Sequence, residues 1–365
     1  VSLDAYRFVF ADPDFWQSFA NSFLIATGMT LLAVPLGALL AFVMERTDLP
    51  WKRFLEPVIL VPSFVSPMVL AFGYVVAAGP VCFYTVWAQD LFGASPWGIY
   101  SIPAMAVIAG LTHVPNVYVY ATSALKSLGS DVEEAARTAG ASPFRVAATV
   151  SLPLIAPALL FSAVLVFFLG FELFGLPLVL GDPEGHLVLS TYLYKLTNKL
   201  GVPSYHLMAA VAVCIVAVTF PLVLLQRRLL QNARRFATIK GKAGRMKALP
   251  LGGWKPLAMA LLLGWAFLAV IVPVSGIALR AFVSNWGIGV ALVDAFTLDN
   301  FRAVFDEPTH TRAIVNTVLI GTIGGAIAVA CYAAIGFATH RRNDGWSRFV
   351  DYVGLVPRAI PGLLA

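Results

Sequence analysis

The stretch SDVEEAARTAGASPFRVAATVSLP, residues 130–153, decides how this chain is built. It is polar enough to meet water, yet it is patterned as two short helices. Ser130 with Glu133 three residues later has the form of a capping box, in which each side chain serves the other's backbone N–H. Val132, Ala135, Ala136 and Ala139 fall at i, i+3, i+4 and i+7, one face of a helix. That face is small and shallow, so another surface can approach it closely. Glu133, Glu134 and Arg137 lie off it. Gly140 stands where a helix end wants positive φ. Ser142 and Pro143 suit the N-cap and first position of a second helix, and Leu152-Pro153 leads out. The pattern predicts a helix–turn–helix lying on a surface, either as a docking element or as an amphipathic surface helix.

The flanks say which surface. Of the 365 residues, 59% are hydrophobic and only 12% charged, and the mean hydropathy is +0.82. Soluble domains carry about twice that share of charge, so an ordinary soluble enzyme and a disordered chain are both excluded. A bilayer core needs about 20 apolar residues as helix. Eight stretches qualify: 18–44, 56–78, 101–124, 154–178, 205–226, 257–282, 313–339 and 350–365. Lys and Arg collect in alternate loops. Arg46, Lys52 and Arg53 lie in one; Lys126, Arg137 and Arg145 in the next. Nine basic residues and no acid occupy 227–256, and Arg341, Arg342 and Arg348 follow. The intervening loops are poor in them. The positive-inside rule then puts the basic loops in the cytoplasm and residue 1 outside. That start, at a residue other than Met, suggests that a span precedes it.

Shifted by 295, the sequence matches itself without a gap. Leu3-Asp4 meets Leu298-Asp299, Arg7 meets Arg302 and Pro13 meets Pro308. Asn21 meets Asn316, Trp51 meets Trp346, and Leu60-Val61-Pro62 meets Leu355-Val356-Pro357. About 22 of 68 positions are identical, and shared hydrophobicity does not explain the Trp, Asp, Arg and Pro matches. Both copies run the same way, as a parallel repeat about the membrane normal. The expected organisation is a first bundle over 1–226, a basic cytoplasmic linker over 227–256, and the start of a second bundle over 257–365.

Glu134-Ala135-Ala136, three residues, Gly140, nine residues, Val150-Ser151-Leu152-Pro153 resembles the EAA loop of ABC importer permeases. The departure is Val150, where the pattern has Ile. The resemblance implies an all-α, polytopic bundle of the type I permease kind, in tandem copies with the second incomplete. It implies that Glu134, Ala135, Ala136 and Gly140 meet a cytoplasmic ATPase subunit, with Leu152 and Pro153 setting the return into the membrane. It implies as partners a pair of identical ATPase subunits, which hydrolyse the ATP, and an extracytoplasmic substrate-binding protein. The place implied is a bacterial cytoplasmic membrane, crossed several times. The tandem halves and the linker from Gln226-Arg227-Arg228 to Gly241-Lys242 look like the fused ferric-iron permeases. The same architecture serves thiamine, aminophosphonate and polyamine importers. Members of that group carry an EAA loop in each half, so the chain is expected to be a piece of a longer one.

Other polar residues are weighed against blander readings. Glu172 lies near the outer end of a span, where an acid is a candidate for the translocation path. His113 and Asn116 flank Pro115 inside another span; they are path candidates too, although supplying the carbonyl freed by Pro115 is the favoured role. Tyr192, Tyr194, Tyr205, His186 and His206 read as interfacial residues rather than metal ligands. The basic linker suits anionic lipid rather than nucleic acid. Cys82, Cys214 and Cys331 form no C-x-x-C pair. No metalloprotease, hydrolase or nucleotide fingerprint is present, so no catalytic residue, metal or bound cofactor is expected. A secondary transporter driven by an ion gradient is the rival class. The EAA spacing and the scarcity of intramembrane acids argue against it.

Overall fold

The computed structural model describes residues 4–95, 97–128, 131–198, 204–236, 248–284 and 295–339, together with Gly345, Trp346 and Val350. Regular structure among them is helical throughout. The chain begins with α1 (Asp4–Ala11), α2 (Pro13–Arg46), α3 (Lys52–Phe64), α4 (Pro67–Ala78), α5 (Phe83–Phe92) and α6 (Ile102–Ser127). The surface excursion holds α7 (Asp131–Thr138) and α8 (Pro143–Val146). Then come α9 (Leu152–Phe171), α10 (Gly175–Leu180), α11 (Leu189–Asn198), α12 (Tyr205–Phe236), α13 (Lys255–Ala266), α14 (Val272–Ala281), α15 (Asp299–Asp306), α16 (Pro308–Leu319) and α17 (Gly325–Thr339). Among the described residues, six helical stretches are long and apolar enough to cross a bilayer: 13–46, 67–92, 102–127, 147–171, 252–281 and 308–339.

The differences from the expected spans have local causes. The stretch 56–78 is two helices, not one. Ser66 precedes Pro67, the proline ring disfavours a helical residue before it, and Ser66 is extended at φ −57, ψ 134. The stretch 154–178 ends at Phe171, and α10 is a separate short helix. The stretch 205–226 continues as helix to Phe236, so the first ten residues assigned to the linker are helical. Residues 350–365 lie almost wholly outside the described residues, as do 237–247 of the linker.

Two helices widen by one residue just ahead of a proline. Ala147–Ser151 precedes Leu152-Pro153, and Phe267–Ile271 precedes Val272-Pro273; both are π turns. Proline lacks an N–H and crowds the carbonyl four residues back. An i→i+5 bond relieves that crowding, and Leu152 N–H accordingly reaches Ala147 O, as Val272 N–H reaches Phe267 O.

The first compact unit covers residues 1–277. It takes in the span from residue 255, which the sequence placed with the second copy. Its core is α2 laid alongside α6 in the same direction, with α9 running back. Ile25, Met29 and Leu40 of α2 are fully buried against Met105, Val114, Val117 and Leu125 of α6 and Val166 of α9. Small residues let the backbones close up. A methyl group added at Gly37 would come within 2.6 Å of Val117 Cβ. Between helices in lipid such contact, not exclusion of water, supplies the attraction. Leu24, Leu31, Val107, Val119 and Leu160 point outward, as lipid-facing residues of a membrane bundle do.

The second unit, 278–365, repeats the beginning of the first in detail. α15 has the eight residues of α1, and α16 opens at Pro308 as α2 opens at Pro13, each 295 positions on. The caps match as well. Asp12 Oδ1 accepts from Asp14 N–H at 3.0 Å, and Glu307 Oε1 accepts from Thr309 N–H at 3.4 Å. Gly321 and Gly325, spaced for close helix packing, have open surroundings among the described residues.

Candidate functional site

The excursion 131–153 forms as its spacing predicts at the ends and differently on its faces. α7 closes on Gly140 at φ +85. Gly140 N–H bonds Arg137 O at 2.9 Å and Ala141 N–H bonds Ala136 O at 3.0 Å, the paired bonds of a Schellman motif. Ser142 Oγ then accepts from Arg145 N–H at 3.3 Å and starts α8. Ser130 lies outside the described residues, and with it the capping box. Glu133 Oε1 is engaged elsewhere, as follows.

Glu133 is turned inward and is only 6% exposed. Its Oε1 lies 3.2 Å from Arg46 Nε and accepts from Ser151 Oγ at 2.7 Å. Arg46 is itself 4% exposed, and its Nη2 donates to Leu125 O at 2.7 Å. One guanidinium therefore joins the last turn of α2, the last turn of α6 and the underside of α7. Ser151, at the π turn, adds the start of α9. Beside it Lys126 pairs with Glu45 at 3.2 Å, on the more exposed side. Sequence reasoning placed Glu133 off the contact face and missed its burial. The available signal was Arg46, an arginine ending a long apolar helix.

With Glu133 below, the opposite side of α7 is exposed among the described residues. Glu134, Ala135, Thr138, Ala139 and Gly140 are exposed, and Ala136 and Arg137 half-buried. The face is a carboxylate beside a shallow methyl strip. Leu152 and Pro153 are exposed at the elbow where α9 begins.

The path candidates do not converge. His113 turns its Nδ1 to Ala109 O of its own helix, at 2.8 Å. The carbonyl that Pro115 frees is Leu111 O, and it accepts from Trp265 Nε1 at 3.1 Å. Asn116 is half-buried and makes no side-chain hydrogen bond among the described residues. Glu172 caps α9, its N–H on Phe168 O at 3.1 Å, level with Ser22 of α2, where Leu189 N–H bonds Ser22 Oγ. His113 lies near the level of Pro35, since Gly110 abuts Leu32 and Val117 abuts Gly37. At 1.5 Å per residue these levels are roughly 20 Å apart.

At the Asp14 end of α2 there is a cavity of about 240 Å³, lined among others by Asp14, Gln17, Ser18, Asp182 and Lys195. Asp14 and Lys195 pair across it at 2.9 Å. Ser18 Oγ is buried there without a protein partner among the described residues, and a cavity of this size and polarity suits ordered water. Tyr192, three residues before Lys195, donates to Asp12 Oδ2 at 2.6 Å; burial first and Asp12 second push its hydroxyl well above the usual tyrosine range. Among the described residues no group of three or more His, Cys, Asp or Glu side chains is placed to hold a metal ion.

An all-helical bundle that crosses the membrane and presents a capped surface helix defines a class of membrane transport component. Residues 33–235 match the family described as binding-protein-dependent transport system inner membrane component, and the chain belongs to it. Members of this class are multi-pass permease components of the inner membrane, not catalysts. The chain is similar to the ferric transport system permease protein FbpB of Actinobacillus pleuropneumoniae, 22% identical over 95% of this chain and 50% of that one. It is 24% identical to a putative ferric permease FbpB 1 of Haemophilus influenzae, over 84% of this chain and 48% of that one. It therefore spans about half the length of these relatives. It is also 26% identical to the molybdenum permease ModB of Escherichia coli K12, over 59% of this chain and 92% of that one. The fold is shared with a bacterial ABC transporter that imports alginate, at TM-score 0.53 and 18% identity, over 64% of this chain and 84% of that one.

Proposed function

We propose that this chain belongs to the translocation subunit of an ATP-driven importer, and that α7 is where cytoplasmic ATPase subunits push on it. The observation that carries this reading is the exposed face Glu134, Ala135, Ala139 and Gly140, held up from beneath by the buried Glu133. A short helix that is fixed below, shallow above and ended by a glycine suits insertion into a cleft on another protein. Ala136 completes the methyl strip, and Leu152 and Pro153 set the return into the membrane. The basic loops face the cytoplasm and the Asp14 end faces out, where a substrate-binding protein delivers cargo. The chain binds no cofactor in this scheme; the partner subunits, a pair of identical chains, bind and hydrolyse ATP. Ferric iron is the proposed cargo, supported by the two ferric permeases among its relatives.

The test is uptake of labelled ferric iron in cells with and without the full-length gene, with thiamine uptake run in parallel. Iron uptake is expected to fall to background without the gene and to stop on ATP depletion while the proton gradient persists. Unchanged iron uptake removes the cargo assignment. Uptake surviving ATP depletion removes the importer class. In the same cells Gly140→Arg should release the ATPase subunits and abolish uptake.

A further inference from the structure

We propose that Arg46 and Glu133 form the positioning link through which movement of α7 reaches the membrane spans; this rests on the reading of α7 as the ATPase contact. Among the described residues, Glu133 carries the ion pair and the side-chain hydrogen bond that α7 makes to the rest of the bundle. Its partner is chosen for reach. A planar guanidinium can hold a carboxylate on one nitrogen and a carbonyl on another in fixed geometry, which a lysine cannot. Arg46 does this with Glu133 and with Leu125 O. The two spans it joins are already closely packed along their length, with Gly28 against Ala106, Gly110 against Leu32 and Gly37 against Val117. A displacement of α7 is thus delivered to α2 and α6 together as one body. Without the link, α7 is tied to the spans chiefly through its own connections, and the turn at Gly140 and the π turn before Leu152 can absorb its motion. A buried charge pair is not needed for stability alone, since apolar residues of similar volume often replace one without loss. That makes the two roles separable.

The experiment uses the full-length permease assembled with its ATPase subunits in proteoliposomes. The variants are Arg46→Met with Glu133→Met together, and Glu133→Gln alone. A purely structural pair would let the double-Met complex assemble and work normally. The expected result is normal assembly and basal ATP hydrolysis, loss of the stimulation that the loaded binding protein gives, and uptake reduced at least tenfold. Normal stimulation and uptake in the double-Met complex overturn the proposal. If that complex does not assemble, Glu133→Gln decides in the same way: lost stimulation in an assembled complex supports the link, and wild-type stimulation overturns it. Gly140→Arg runs beside them. If it too leaves stimulation intact, the reading of α7 as the ATPase contact has failed; if it alone uncouples, only the Arg46–Glu133 link has failed.

Discussion

Trp265 shows how a single residue repairs what another breaks. Pro115 is buried in the middle of α6 and offers no N–H to Leu111 O. In lipid no water can take that carbonyl, so a protein donor must. Trp265, 3% exposed, supplies its indole N–H. Trp265→Phe keeps an aromatic ring and removes the donor, leaving a buried acceptor unsatisfied at a cost of about 1–3 kcal/mol. Thermal denaturation in detergent should show a clear drop for this variant. Pro115→Ala with Trp265→Phe should regain part of it, because residue 115 then donates along its own helix. Equal losses in the single and double variants would count against this assignment. Proline at 115 is legible as a gap in the ladder, and the need for a donor follows. Which side chain fills it is not legible, since His113 is nearer in sequence and an indole from α13 comes from a remote segment. Glu133 is the same kind of case. Its neighbour Glu134 is marked by the loop spacing, whereas its burial depends on Arg46, a residue of a different span.

At the scale of elements, the turn after α2 is stitched to the segment before α13. Leu249 N–H bonds Arg46 O at 2.8 Å and Asp48 N–H bonds Leu249 O at 3.1 Å. Asp48 Oδ1 accepts from Leu251 N–H at 2.8 Å, and Oδ2 pairs with Lys255 at 2.6 Å. The Leu251 N–H first, and Lys255 second, hold the Asp48 carboxyl below the usual carboxylate range. A depressed acid contributes above its unfolded pKa, near 3.9, and the contribution is lost as pH falls through the folded value. The stitch should therefore be constant from about pH 5 to 8 and weaken only in stronger acid. Asp48→Asn should speed hydrogen exchange at the Leu251 amide several-fold at pH 7, with little change at the Leu249 amide, whose bond goes to Arg46. Unchanged exchange at Leu251 would show that the carboxylate is not what orders the segment. The basic composition of 227–256 reads as a linker, and composition cannot reveal this stitch. Two of its four bonds join backbone groups and two use the Asp48 carboxylate, and all of them span some two hundred positions. The helical run to Phe236 was hidden for a related reason: the apolar signal stops at Leu225, ahead of Gln226-Arg227-Arg228, while the helix, a backbone property, goes on.

For the molecule as a whole, the stiffness of the α2–α6 pair decides what the bundle can do. At Gly28, Gly37 and Gly110 two long helices come so close that an added methyl group would meet the neighbouring side chain within 3.0 Å. Closely packed helices have few alternative arrangements and shift as bodies rather than bend. The Arg46 end of this pair carries the α7 link, and α2 continues past the start of α6 to border the polar cavity at Asp14. α2 thus runs from the proposed site of force to the cavity at its other end. Gly37→Leu places side-chain atoms where Val117 already sits and must part the helices over several turns. The full-length protein should lose stability by about 1–3 kcal/mol, as overpacked cores do. It should also lose the correlation between its two ends. Spin or fluorescence labels at Glu134 and at Gln17, read with and without ATP in the assembled complex, provide the measurement. In the parent both labels should change environment when ATP binds. In Gly37→Leu the Glu134 label should still respond, while the Gln17 response falls several-fold. If both labels respond as in the parent, transmission does not run through α2 and α6. Gly37→Ala, a smaller intrusion at the same place, should fall between the two, because the helices need part by only about one methyl radius.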